Sequence, residues 1–556
     1  MHDARPQIDL LLVNADDRAP MLSGVDRTAA GEAPAPEPRP KRDELWADGD
    51  APDDLERQRW GVIAPSGDDG DRLLDAIAPL VEHRRRQSPV TVYRVPARMT
   101  RGEAARWKKR VFRSGADLDC DLPRYQLIVG DLDQVPLAVQ QVQASDGFVG
   151  RIAFDDLDGY RAYAAKLVRW EDRPASVTEA DAILHAVRDG TRATQLGVQA
   201  LIAPGQDILR RRRVAGDVRY RELRVTGSEW PAPDELWAAA TSARPGVLLS
   251  VSHGVGVPRS GDATRSGAAR QRREQGALSF GRGGMLTGAD LAGGGFLPGG
   301  VWLAVACFAA STAETSDYRH WLDTLRRAGH VGSEIGHVLD TLAHERPFVA
   351  AVPKAALADP DGPLAFVGHV DLAWAYSFFD LDDRPRRRPG RIIGVIQALL
   401  NGHRAGVAVH KLMQWFAEVN TELTALDDAR ARTGGRPLDD PERVRRGHLW
   451  MLRQDLAGYV LLGDPAIRLP IRYGDRDGTS PPRAGCEAGA AGGHAAAVMR
   501  AEQAVLAVLR GDPVADVARR HGLDQAELER LVASYRAAGR AALAAALSAR
   551  APDQGL

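Results

Sequence analysis

GVLLSVSHG (246–254) and VWLAVACFA (301–309) decide how this chain is read. Each is a short, mostly apolar run, broken in the first only by Ser250, the pattern of a strand buried on both faces of a parallel sheet. One stops at His253-Gly254 and the other at Cys307. In a parallel sheet, reacting groups gather at the carboxyl ends of the strands. Two neighbouring strands of this kind bring an imidazole beside a thiol. A free thiol is mostly protonated at neutral pH, with a pKa of about 8.5. An adjacent imidazole takes that proton, or holds the thiolate as imidazolium. The sulfur can then attack a carbonyl, whose oxyanion needs backbone N–H donors. Gly254 has no side chain to shield its amide, and the amide of Cys307 is the natural second donor. Ala306, Ala309, Ala310 and Ser311 leave room beside the sulfur.

Outward from this pair the strand–helix alternation continues. RPFVAAVPKA (346–355) and PLAFVGHVD (363–371) read as further strands, residues 391–426 as helix, and YVLLGDPAIRLP (459–470) as the closing strand. This gives a catalytic α/β domain over 241–473. Upstream, WGVIAP (60–65), VTVYRVP (90–96) and YQLIVGD (125–131) read as strands, and 71–86 and 156–171 as helices, giving an α/β subdomain over 57–240. Residues 1–56 open with a short strand and pass into Pro, Ala and charge, an arm expected to be partly disordered. Residues 474–498 are a Gly/Ala/Pro linker, and 499–550 a small all-α module.

Composition agrees with a globular protein. The chain has 556 residues, 44% hydrophobic and 26% charged, enough for roughly two to four domains of about 100–200 residues. Its 73 basic and 74 acidic residues leave a net charge of −1, so there is no global attraction to nucleic acid or anionic membrane. Cys120, Cys307 and Cys486 cannot make a disulfide framework, and their scarcity suits a reducing cytosol. IDLLLV (8–13) is too short and too acidic in setting for a signal peptide. No apolar run reaches the ~20 residues of a membrane span. The expectation is a cytoplasmic protein without a membrane contact.

The order of these segments resembles the caspase-type cysteine peptidases of the caspase–hemoglobinase fold. Ser252-His253-Gly254, GALSFGRGGMLTGADLAGG (276–294) and VWLAVACFAAST (301–312) are similar to the CHAT branch. YQLIVGDLDQVP (125–136), GTRATQLGVQALIAPG (190–205) and LLGDPAIRLP (461–470) are similar to the gingipain type. The resemblance covers about residues 57–473. It implies a caspase–hemoglobinase-like sandwich with a mostly parallel sheet. It also implies His253 as general base, Cys307 as nucleophile, Gly254 and Cys307 as oxyanion donors, and a protein or peptide substrate. No metal and no cofactor is required. Relatives cut after one charged or amide residue, and bacterial relatives occur in defence or cell-death settings.

The substrate pocket has no fixed motif. Asp290, Glu314, Asp317 and Asp371 are the acids that could face a basic substrate side chain, and the simpler reading of each is a loop charge or helix cap. His369 reads as a hydrogen-bonded strand-end histidine. GRGGMLTGADLAGGG (281–295) lacks the ending of a phosphate loop, and no zinc motif or G-x-S-x-G elbow is present. Three arginine clusters, Arg210 to Arg213, Arg265 with Arg270, Arg272 and Arg273, and Arg384 with Arg386 to Arg388, read as solvated or regulatory loops. Residues 508–539 resemble a transposase-type helix-turn-helix. Asp524, Glu527 and Glu529 sit where a DNA reader needs basic residues, so docking to a protein partner is favoured over nucleic acid. Two rival readings stay open: a catalytically silent binding protein on the same fold, and a DNA-linked regulator acting through the C-terminal helices.

Overall fold

The structure is a computed structural model. It describes residues 7–22, 24–32, 51–114, 121–242, 245–256, 265–332, 336, 338, 346–381, 385–432, 440–472, 508, 513–521, 524–526, 528–530 and 532–533. Cys120, Cys486, Arg384, Glu527 and the expected linker lie outside them. The chain divides into two compact units, Met1–Gly474 and Asp475–Leu556.

The first unit is α/β, as expected, and is built on one ten-stranded sheet. In chain order its strands are β1 (Trp60–Pro65), β2 (Val90–Val95), β3 (Tyr125–Val129), β4 (Phe148–Ile152), β5 (Asp181–Ala186), β6 (Leu223–Thr226), β7 (Gly246–Val251), β8 (Val301–Val305), β9 (Ala365–His369) and β10 (Tyr459–Gly463). Their spatial order is β2-β1-β3-β4-β10-β9-β8-β7-β5-β6. Every neighbouring pair is parallel except β9 with β10. The sheet is therefore two parallel blocks running in opposite directions, joined at that pair. Residues 57–240 and 241–473 both supply strands to it, and β5 lies directly beside β7. WGVIAP, DAILHA, GVLLSV, VWLAV and YVLLG are buried at every position. Such runs have no alternation because helices cover both faces.

Two segments depart from the sequence reading. RPFVAAVPKA forms only the two-residue strand Phe348–Val349 and then the helix Ala351–Ala358. Pro353 sits in that helix's first turn, where a missing N–H costs nothing. Two of the arginine clusters are helical rather than looped. Arg211 to Arg213 close the helix Ala203–Val214, and Arg272 and Arg273 close Arg265–Glu274. Basic side chains there oppose the negative end of the helix dipole. Arg386 and Arg387 form a short exposed strand.

No helix among the described residues is long and apolar enough to cross a membrane. In the second unit, the helix Val514–His521 packs Val517 and Ala518 against Leu528 and Val532. Asp524 and Glu529 are exposed.

Candidate active site

The register of β7 and β8 sets the backbones of His253-Gly254 and Cys307 side by side. Val251 pairs with Val305, so each residue of interest lies two positions beyond the same rung of the sheet. The backbones then close on one another. A Cβ built on Gly254 would lie 1.9 Å from the Cys307 carbonyl oxygen, so only glycine fits there. Immediately after Cys307, Phe308 adopts a left-handed backbone with φ 56°. Its N–H is held by the Asp371 carbonyl at 3.0 Å. A non-glycine residue in that region stores strain of order 1–3 kcal/mol, a recurrent feature of sites that must aim a side chain.

Both side chains are sealed from water: His253 is 1% and Cys307 0% exposed. Burial pushes the thiol well above its ordinary pKa. Burial also pushes the imidazole down to about 4, against the pull of the Asp189 carboxylate. The resting pair is therefore neutral thiol and neutral imidazole. Cys307 Sγ accepts a hydrogen bond from the Ala373 N–H at 3.2 Å.

The third group was not anticipated from the sequence. His253 Nε2 lies 2.8 Å from Thr191 Oγ1 and 3.6 Å from Asp189 Oδ2. The hydroxyls of Thr191 and Thr194 donate to Asp189 Oδ1 at 2.8 and 2.7 Å. With those protons committed, Thr191 Oγ1 is left to accept, which selects the tautomer carrying its proton on Nε2. His253 Nδ1, the unprotonated nitrogen, has no hydrogen-bond partner among the described residues. Asp189 and Thr191 follow β5. The signal in the sequence is the apolar strand ADAILHAV running into Arg188-Asp189-Gly190-Thr191, but only the pairing of Val251 with Ala186 brings that loop to His253.

The two expected oxyanion donors converge on one point. The N–H groups of Gly254 and Cys307 both donate to the carbonyl oxygen of Leu11, at 2.9 and 3.3 Å. The wall facing them, Asp371 to Ser377, is shaped by two buried carboxylates. Asp371 accepts from Ser316 Oγ and from the amides of Asp317 and Leu372. Asp455 accepts from the amides of Trp374 and Ser377. Burial pushes each of these carboxyls up to about 7.

The surroundings of the four acids nominated for a substrate pocket differ from one another. Asp290 caps the helix Gly288–Leu291, accepting from the Thr287 amide and hydroxyl. Asp317 pairs with Arg101 at 3.1 Å, and Glu314 is exposed. Asp371 has both oxygens engaged, as above. His369 accepts at Nδ1 from the Asp371 N–H at 3.1 Å, and its Nε2 lies 3.2 Å from the Asp455 carbonyl oxygen, as a hydrogen-bonded histidine at a strand end does. Among the described residues, no group of three or more His, Cys, Asp or Glu side chains could hold a metal ion.

No family model matches this sequence, and no curated protein matches it. Among solved structures, the Arg-specific cysteine proteinase gingipain R aligns with 75% of this chain and 80% of its own length. Identity is 12% and the TM-score 0.43. The complex of Porphyromonas gingivalis RgpB pro- and mature domains aligns over 74% of this chain and 80% of that one, at 13% identity and TM-score 0.41. The Saccharomyces cerevisiae separase–securin complex aligns over 62% of this chain but 16% of that one, at 10% identity and TM-score 0.25. Likeness at this level says nothing of activity.

Proposed function

We propose that the chain is a cysteine endopeptidase working through His253 and Cys307. The observation that carries this reading is the Leu11 carbonyl, gripped by two backbone amides, one of them the amide of the cysteine itself. A peptide carbonyl in that place has its oxygen where charge develops during acyl transfer. The Cys307 proton passes to His253 Nδ1, and Sγ adds to the carbonyl carbon. The imidazolium, held on its far side by Thr191 and Asp189, then protonates the leaving amine as the C–N bond breaks. Water, deprotonated by His253, attacks the resulting thioester and releases the acid and the free thiol.

The test is hydrolysis of a peptide library by the full chain and by its opened form described below, before and after alkylation by iodoacetamide mapped to Cys307. Activity should fall in proportion to the alkylated fraction. Turnover that survives complete labelling of Cys307 would overturn the reading.

Asp189 acts through His253 as a positioning residue. Asp189→Asn removes the charge that favours the imidazolium, so the His253 pKa falls further. The acid limb of the kcat/KM profile should move to lower pH, because less base is protonated at a given pH. The rate on the plateau should fall about 10²-fold, within the usual range for general-base assistance. A plateau loss with an unmoved acid limb would make Asp189 merely structural.

A further inference from the structure

Gln7–Val13 lies along the site as a peptide substrate would. The Leu11 N–H donates to the Ala373 carbonyl at 3.3 Å, while the Leu11 carbonyl fills the two-amide pocket of Gly254 and Cys307. On the amino side, Leu10 bridges antiparallel to Trp374. On the carboxyl side, Leu12 and Val13 pair with Gly254 and Val255, and the Val13 carbonyl accepts from the Gly256 amide at 2.8 Å. The backbone is therefore gripped on both sides of the Leu11–Leu12 bond, the pattern by which a strand is bound through its main chain. Side chains add selectivity. Leu10, Leu11, Leu12 and Val13 are all at most 2% exposed. Two residues before Leu11, Asp9 is 3% exposed and lies 3.5 Å from Arg192 Nε, and Arg192 Nη1 also donates to Gln7 Oε1 at 2.9 Å.

Resting on the peptidase reading, we propose that this segment is a tethered ligand of the substrate groove. It holds the enzyme closed. It also reports what the groove takes in trans: an extended segment with an aliphatic residue at the carbonyl to be attacked and an acid two residues before it, facing Arg192. The four nominated acids do not enter this preference. An aliphatic residue in the carbonyl-bearing place departs from the charged or amide residue that the family resemblance implies.

The experiment follows Cys307 alkylation by iodoacetamide in the full chain. Leu11→Asp sets a charge in a buried apolar seat and should expel the strand. Labelling of Cys307 should be at least about tenfold faster than in the wild type, since the thiol goes from sealed to open. A synthetic QIDLLLVN peptide should restore slow labelling, and QIDLKLVN at the same concentration should not. If circular dichroism shows that Leu11→Asp fails to fold, Arg192→Glu carries the test. Arg192 is half-exposed, so the substitution repels Asp9 without disturbing the core, and labelling should rise severalfold. Equal labelling in the wild type and the folded variants overturns the proposal, and Cys307-dependent hydrolysis in all of them would leave the peptidase reading intact. Conversely, an opened variant that labels fast but cleaves no library peptide ends the peptidase reading and leaves the strand's seat established.

Discussion

Replacing Cys307 by Ala should lower peptide hydrolysis by about 10³-fold or more, with the same loss for His253→Ala and no further loss for the pair. The non-additivity follows from the chemistry. The imidazole contributes only by taking the thiol's proton and returning it, so without the sulfur it has nothing to act on. The measurement belongs on the Leu11→Asp background, where latency cannot imitate a dead nucleophile. Cys307→Ser is the control for folding. The Ala373 N–H donates to Sγ, and alanine leaves that buried donor without its acceptor, at about 1–3 kcal/mol. Serine restores an acceptor, yet its hydroxyl ionises far less readily than a thiol. Cys307→Ser should therefore unfold closer to the wild-type midpoint and be as inactive as alanine. Either variant keeping more than a tenth of the turnover would place the nucleophile elsewhere.

The strands that carry the candidate site are legible in the sequence because they are short and fully buried. VLLSV and VWLAV announce themselves as apolar runs without alternation, and a His or Cys just beyond the end of such a run has few places to go. What stayed hidden was whatever depends on non-local pairing. Asp189 and Thr191 are ordinary polar residues in a loop until β5 is placed in register beside β7. IDLLLV reads as a short strand opening an arm, because nothing local says that Leu11 will meet Gly254 and Cys307, more than two hundred positions away. The nominated acids illustrate the converse. Asp290 has a local explanation in the Thr287 capping box, readable from the sequence as Thr followed three residues later by Asp.

The two Gly-Asp motifs quoted for the gingipain resemblance take structural positions in this chain. In YQLIVGD, Asp131 accepts from the Val349 amide at 2.7 Å and from Lys354 Nζ at 2.8 Å, tying the end of β3 to the segment leading into the helix Ala351–Ala358. In YVLLGDP, Asp464 does more. Its Oδ1 accepts from Trp60 Nε1 at 3.0 Å, and its Oδ2 lies 2.7 Å from Arg84 Nη2. Arg84, 0% exposed, also forks onto both oxygens of Glu171 at 2.6 Å. Burial alone would raise the Glu171 carboxyl, and Arg84 brings it instead well below the ordinary range.

That cluster joins β1, the helices Ala78–Arg85 and Leu157–Asp172, and the turn after β10, so its failure reaches across the unit. Arg84→Met fills much of the same volume but strands two carboxylates. It should destabilise by about 3–5 kcal/mol, the usual consequence of removing one partner from a buried ion pair. The test is the urea unfolding midpoint followed by tryptophan fluorescence, for which Trp60 is a direct reporter. Arg84→Met/Glu171→Gln should recover part of the loss, because the second change removes a charge that the first left unpaired. Both variants, where folded, should keep wild-type Cys307 labelling, since none of the cluster's hydrogen bonds reaches His253 or Cys307. If Arg84→Met costs less than about 1 kcal/mol, within the range of an exposed pair, the carboxylates have found water or protons. The cluster would then be incidental to the fold.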